Sequence, residues 1–151
     1  MTTRVALARW LETRDPHCGS SDPMSAGNGS LMRLAPVAIR FWNDPSSLRD
    51  VAQRQSMTTH AAPEAVDACI AFAEVLADAI AGKSKPEILR PRPGPYRGAI
   101  GPLINGRWRD KDRAAIGSSG YVVHSLEAAM WCVARTDDFR DRRAHDGKSR
   151  R

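Results

Sequence analysis

The sequence predicts an all-α fold, and three observations support this class. Apolar residues recur at helical spacing in several separate stretches, with polar residues between them. No stretch shows the strict apolar and polar alternation that is typical of a half-buried strand. Clusters of Gly, Pro and Ser separate the periodic stretches, as expected of loops between helices. With 151 residues, 42% of them hydrophobic, the chain is long enough for one domain with a core.

Two helices are predicted in the first third of the chain. The first covers Thr3–Glu12 and ends before "TRDPHCGSSDP", which has the composition of a loop. The second follows Ser30, and Pro36 either kinks it or occupies the first position of a helix that restarts there. Its apolar side is formed by Leu31, Leu34, Val37, Ala38 and Phe41.

Two further helices are predicted in the middle of the chain. One begins at Ser46 or Ser47, because a serine side chain can cap the free amides of a first turn. The stronger one begins at Pro63, with Glu64 favoured by the positive end of the helix, and stops at Gly82. Its apolar side is formed by Val66, Cys69, Ile70, Ala73, Leu76 and Ile80, and the acidic residues Glu64, Asp67, Glu74 and Asp78 fall mostly on the other side.

The last third begins with an irregular segment. Between residues 91 and 117 the helical periodicity is lost and Pro, Gly and Arg dominate. This predicts a long connection, of a length usually found in functional or mobile loops. A last helix is predicted from Ser118 or Ser119, with Val122, Leu126, Ala129 and Val133 in register.

The net charge of +6 is concentrated at the end of the chain. Residues 140–151 carry six Lys or Arg and two Asp, which leaves 17 basic and 15 acidic groups among the first 139 residues. We expect one domain over residues 1–139, followed by a basic, disordered tail over 140–151. A short basic tail without interleaved aromatic residues gives salt-sensitive, non-specific attraction. Specific nucleic-acid binding is therefore not expected.

The cysteines and histidines predict neither a disulfide framework nor a zinc site. Cys18, Cys69 and Cys132 are odd in number and far apart, which is typical of small buried side chains. The four histidines form no i, i+4 pair and no cluster with acids. The first residues lack the apolar run of a signal peptide, and no segment is long enough to span a membrane. We therefore expect a cytoplasmic location and no membrane contact.

Two short motifs resemble known sites by their letters alone. "AGKSK" at 81–85 follows a helix rather than a strand, and Ala77 stands where a phosphate-binding loop needs a glycine. We interpret this motif as a helix end. "TDDF" at 136–139 follows the last predicted helix and is interpreted as a turn.

Three helix starts with small or polar leading residues remain: Gly27–Ser30, Thr58–Pro63 and Ser118–Tyr121. The Asn-Gly pair of the first lacks the flanks of a hairpin and precedes a helix, so its free N–H groups favour an anion such as phosphate. If the three starts converge, they form a polar pocket for an anion with attached sugars. Simpler interpretations stay open: the glycines serve the start of a helix, His60 is solvated, and Tyr121 packs at a helix corner.

Three motifs of the chain, "MSAGNGSLMRLAPVA", "TTHAAPEAVDAC" and "GSSGYVVHSLEAAMW", follow one another in a characteristic order. In this order they resemble the central part of the ADP-ribosylglycohydrolases, the family that includes dinitrogenase reductase-activating glycohydrolase. The resemblance runs from about Val5 to Phe139. It implies a helical fold, here incomplete at both ends, that binds ADP-ribose in a cleft and hydrolyses the glycosidic bond between ADP-ribose and an acceptor.

The resemblance also implies which residues hold the ligand, ADP-ribose or an ADP-ribosylated substrate. The glycine–asparagine loop contacts the ribose and diphosphate, the histidine of "TTH" helps to hold the ligand, and the "GY" pair lines the cleft. These substrate-binding residues are Gly27, Asn28, Gly29, Ser30, Met32, His60, Gly120 and Tyr121, with Arg33 beside Met32.

The chain departs from the family pattern at the metal motifs. The complete family uses two Mg or Mn ions, held by a Thr-Asp-Asp type motif early in the chain and an Asp-x-Asp-Thr motif near its end. Neither motif occurs here, so we predict no bound metal and name no catalytic residue. We expect a truncated product, with a late start and a frame change near Asp141, that is inactive alone. The alternatives are a non-catalytic ADP-ribose-binding module and a non-functional remnant whose apolar faces lack partners.

Overall fold

The computed structural model describes residues 2–137, and within this range it consists of helices and loops without a strand. The all-α prediction is confirmed. The predicted tail at 140–151 lies outside the described residues. In the described range, no helix has the length and apolar character needed to cross a membrane. The helices are α1 (Thr2–Thr13), α2 (Gly29–Met32), α3 (Ala35–Phe41), α4 (Pro45–Met57), α5 (Pro63–Ile80), α6 (Lys85–Ile88), α7 (Ile100–Ile104) and α8 (Val122–Arg135), with 3₁₀ turns at Pro23–Ser25 and Arg113–Ala115.

Helix α5 is the centre of the fold and packs against α2, α3, α4, α6, α7 and α8. Its many alanines favour a helix and let neighbouring helices approach closely. Pro63 occupies its first position, where the missing N–H costs no hydrogen bond. The helix ends at Ile80, and Gly82 follows with φ of +76°, a conformation that favours glycine.

Two of the acidic residues on the polar side of α5, Asp67 and Asp78, are buried. Asp67 is 4% exposed and accepts hydrogen bonds from the backbone N (2.6 Å) and Nη2 (2.5 Å) of Arg97. Asp78 is 8% exposed and pairs with Lys83, Arg90 and Arg92. Burial alone raises the pKa of Asp78, but the hydrogen bonds from these three cations outweigh it and lower the pKa to about 2. Buried carboxylates on α5 thus hold the arginine-rich segment in place.

Residues 91–117 are therefore not one irregular connection, and that prediction was wrong. The segment contains α7, and Ile100, Leu103, Ile104 and Trp108 are each at most 1% exposed. A five-residue helix is too short to show a helical period in the sequence. Its order comes from tertiary contacts, namely these buried side chains and the carboxylate pairs of α5 and α8.

Several helix boundaries differ from the predicted ones by a few residues. The predicted second helix is two helices, and Pro36 is the second residue of the restarted helix α3. Helix α4 begins at Pro45 because Asp44, rather than a serine, accepts the hydrogen bond from the Ser47 N–H at 3.1 Å. Helix α8 begins at Val122, because the backbone of Tyr121 is extended and forms an antiparallel bridge with Gly27.

Residues of both short motifs, "AGKSK" and "TDDF", form ion pairs or hydrogen bonds with other parts of the fold. In "AGKSK", Lys83 pairs with Asp78, Ser84 caps α6 with Glu87, and Lys85 donates to the Thr136 carbonyl at 3.0 Å. Helix α8 ends at Arg135, so Thr136 and Asp137 of "TDDF" follow it, while residues 138 and 139 lie outside the described range. All three cysteines are buried, and none of them is in a disulfide.

Candidate functional site

The three predicted helix starts converge at one place. Gly27 forms an antiparallel bridge with Tyr121, in which the Val122 N–H donates to the Ala26 carbonyl at 2.9 Å. The Asn28 N–H donates to the Gly120 carbonyl, also at 2.9 Å. The glycine loop, residues 26–30, is therefore joined to the start of α8 by backbone hydrogen bonds. This is the arrangement that the pocket hypothesis requires.

His60 lies directly beneath the glycine loop. Its side chain and backbone are 4% exposed, so the interpretation of a solvated loop histidine is wrong. A methyl group at Gly29 would lie 2.7 Å from His60 Cε1, and one at Gly27 would lie 3.3 Å from His60 Nε2. Both glycines thus make room for the imidazole ring, a requirement that the sequence did not reveal.

Polar contacts fix the ring of His60 from its other side. Its Nδ1 is 2.7 Å from Thr59 Oγ1, and Arg33 Nη2 donates to the same oxygen, also at 2.7 Å. Burial, together with the positive charge of Arg33, lowers the pKa of His60 below its ordinary value. The ring is therefore held neutral near pH 7, with Nε2 on the side of the glycines.

Asn28 and Ser30 have different positions in the loop. The side-chain amide of Asn28 donates to Ser125 Oγ on α8 at 2.7 Å, which braces the loop against that helix. Ser30 is fully buried, and its hydroxyl accepts hydrogen bonds from Ser56 Oγ at 2.9 Å and Cys69 Sγ at 3.4 Å. The Ser30 side chain therefore anchors the loop to α4 and α5 instead of facing a ligand.

Met32 and Arg33 lie at the end of α2. The Met32 side chain is 79% exposed and is not among the residues that line the cleft beside the loop. Arg33 faces the end of α4, where its guanidinium donates to Gln55 and Thr58 as well as to Thr59. Of the predicted site residues, Gly27, Gly120 and Tyr121 line the cleft, and Asn28, Gly29 and His60 adjoin them without lining it. The side chain of Ser30 faces α4 and α5, and that of Met32 faces solvent.

A cleft of about 580 Å³ opens beside the loop and contains Gly27, Gly120 and Tyr121. This volume is within the range of small-molecule sites. Its other lining residues are Thr2, Pro23, Met24, Ser25, Ala26 and Glu64. The cleft thus combines an apolar wall with backbone polar groups and one carboxylate.

Glu64 is the cleft residue that sequence reasoning missed. It accepts a hydrogen bond from the Tyr121 hydroxyl and another from the Ala99 N–H at 2.8 Å. Burial, with the hydrogen bond and the charge of Glu64, raises the pKa of Tyr121 to about 12. An acid in the first turn of a helix is already explained by the helix dipole, so no pattern in the residues marks this contact.

The donor set does not fit a two-metal centre. Between residues 2 and 137, no three His, Cys, Asp or Glu side chains are grouped so that they can hold a metal ion. Divalent ions such as magnesium need several oxygen ligands at once.

Comparisons with known proteins agree with this geometry. The ADP-ribosylglycohydrolase family model matches residues 1–144. Two curated relatives named ADP-ribosylarginine hydrolase Tri1 are similar, one from Pseudomonas putida (strain GB-1), 42% identical over 145 residues, and one from Serratia proteamaculans (strain 568), 37% identical over 140. These alignments cover 92% and 93% of this chain and 38% of each relative.

A solved structure described as an "ADP-ribosylglycohydrolase-related protein complex" superposes with a TM-score of 0.85 at 34% identity. The match covers 95% of this chain and 50% of that chain. The family fold expected from the three motifs is confirmed. The chain belongs to the ADP-ribosylglycohydrolase family.

Proposed function

We propose that this chain forms the ADP-ribose-holding part of an ADP-ribosylglycohydrolase. For the complete enzyme we propose a protein substrate that carries ADP-ribosylated arginine, on the basis of the names of the two relatives. By itself the chain is proposed to bind ADP-ribose without hydrolysing its bond to an acceptor. A cytoplasmic location stays a prediction.

One observation carries the proposal: distant segments of the chain meet at the glycine loop, beside the cleft. Asn28 and Ser125 are 97 residues apart in the chain and are joined by a hydrogen bond. The same contact region brings His60 and Tyr121 to the glycine loop. Without a ligand to bind, a helical domain has no evident need to place a buried imidazole, two closely packed glycines and a tyrosine at one point.

Each part of the site has a proposed role. The backbone of Gly27–Gly29 approaches the diphosphate, because these residues have no side chain to block it. The Nε2 of His60 donates to an oxygen of the ligand. The ring of Tyr121 forms a wall for the sugar or base, and its hydroxyl is fixed by Glu64.

Calorimetry with ADP-ribose tests the proposal. We expect saturable binding by the wild-type chain, and affinity about 10-fold lower in Tyr121→Ala, because the aromatic wall is lost. Tyr96→Ala is the matched control, since Tyr96 also donates to a glutamate of α5, Glu74, but does not line the cleft. Its affinity should equal that of the wild type.

An activity assay tests the second half of the proposal. A peptide with ADP-ribosylated arginine is incubated with the chain and Mg²⁺ or Mn²⁺, and released ADP-ribose is measured. We expect no release above the background. Release would contradict the proposal that the chain is inactive alone, whereas absence of saturable ADP-ribose binding would contradict the binding function and favour a non-functional remnant.

A further inference from the structure

We propose that Arg33 and Thr59 form a relay that fixes His60 in one tautomer, with the proton on Nε2, so that the ring offers an N–H donor at the glycine loop. The use of this donor to bind ADP-ribose rests on the proposed function. The tautomer itself is a property of the free chain and can be tested separately.

The tautomer follows from the donors and acceptors along the relay. A guanidinium can only donate, so Thr59 Oγ1 accepts from Arg33 Nη2 at 2.7 Å. Thr59 is 6% exposed, and within residues 2–137 its hydroxyl hydrogen has one acceptor at hydrogen-bond distance, His60 Nδ1 at 2.7 Å. A buried hydroxyl hydrogen is rarely left unpaired. The hydroxyl therefore donates to Nδ1, and the neutral ring carries its proton on Nε2.

The surroundings keep the ring neutral. Burial and the charge of Arg33 both oppose a second proton on His60, which agrees with its lowered pKa. Arg33 thus acts twice: it orients the Thr59 hydroxyl, and it disfavours the imidazolium form. Arg33 and Thr59 are positioning residues, because both act on the ligand through His60.

The Nε2 atom lies on the side of the imidazole ring that faces the glycine loop. It lies 3.3 Å from the point that a methyl group on Gly27 would occupy and 3.1 Å from the corresponding point on Gly29. No hydrogen bond joins it to any side chain or backbone group in the described part of the chain. An N–H at this position attracts a phosphate or ribose oxygen, whereas the lone pair of the other tautomer would repel it.

Nuclear magnetic resonance of the imidazole nitrogens tests the tautomer without any ligand. In ¹⁵N-labelled wild-type chain at pH 7, assigned by comparison with His60→Gln, we expect His60 Nε2 to be protonated and Nδ1 to be unprotonated. A proton on Nδ1, or on both nitrogens, would overturn the relay. This result does not depend on ADP-ribose binding, so it separates the relay from the proposed function.

A pair of neighbouring threonines tests the consequence for binding. Thr59→Val keeps the shape of the side chain but removes the hydroxyl, so the ring loses its anchor, and we expect ADP-ribose affinity to fall roughly 10-fold. Thr58→Val is the matched control: Thr58 Oγ1 also accepts from Arg33, at 3.0 Å, but has no hydrogen bond to His60. Its affinity should stay within about 2-fold of the wild type.

The outcomes of this pair are distinct. Equal affinity in Thr59→Val and wild type would overturn the relay, and so would equal losses in the two variants. If the wild-type chain itself does not bind ADP-ribose, the proposed function fails, and the nitrogen spectrum alone decides whether the relay exists.

Discussion

Gly29→Ala is expected to weaken ADP-ribose binding by roughly 10- to 100-fold, the loss expected when one hydrogen bond to a charged group is removed. The added methyl group would lie 2.7 Å from His60 Cε1, so the ring has to move away from Thr59. The backbone itself accepts alanine, because Gly29 does not have a positive φ and begins helix α2. Calorimetry with ADP-ribose measures the effect.

Measurements of the free energy of unfolding separate the clash of the new methyl group with His60 from the general effect of replacing a glycine. Gly29→Ala should lower the free energy of unfolding by about 1–3 kcal/mol, as expected for overpacking. Gly120→Ala is the control for stability, since nothing lies within 4 Å of its added methyl group. A Gly29→Ala variant that is as stable as the wild type and binds equally well would mean that the ring does not pack against the loop.

Glu127→Ala is expected to lower the free energy of unfolding by about 1–3 kcal/mol, because it removes a buried carboxylate that accepts hydrogen bonds from two cations, Arg107 and Lys111, whose side chains are each about a third exposed. Glu127 is 1% exposed, and it accepts hydrogen bonds from Arg107 at 3.1 Å and from Lys111 at 2.7 Å. Urea denaturation of the two proteins gives the difference. A loss of this size would show that residues 107–111 are held to α8 mainly through one buried charge.

The matched control for this variant is an exposed ion pair. Asp50 pairs with Arg54 at 2.8 Å on the surface of α4, and both side chains are more than half exposed. Asp50→Ala should therefore cost about 0.5 kcal/mol or less. Similar losses in Asp50→Ala and Glu127→Ala would contradict the role assigned to burial.

The parts of the fold that could be predicted are the helices long enough to repeat the helical apolar pattern several times. Helix α5 repeats its apolar side over 18 residues, and its start at Pro63 and stop before Gly82 follow from local chemistry. Helix α7 has five residues, so no pattern in the sequence marks it. Its order depends on contacts between residues far apart in the chain, such as Asp67 with Arg97, and such pairs cannot be recognised from composition.

The candidate site was predictable to a similar degree. The three segments could be named because small or polar residues lead into three predicted helix starts, and because their motifs resemble one family. Which of these side chains line the cleft could not be predicted. Ser30 and Glu64 show the reason: both are near helix starts, yet one is buried against α4 and α5 and the other lines the cleft.

The most direct test of the central claim is an amide spectrum of the ¹⁵N-labelled chain, titrated with ADP-ribose. The claim is that the glycine loop, His60 and Tyr121 form one binding site. We expect the largest shift changes at residues 27–30, at His60 and at residues 120–121, all following one saturation curve. Changes confined to other parts of the chain, or different saturation curves for these three segments, would contradict it.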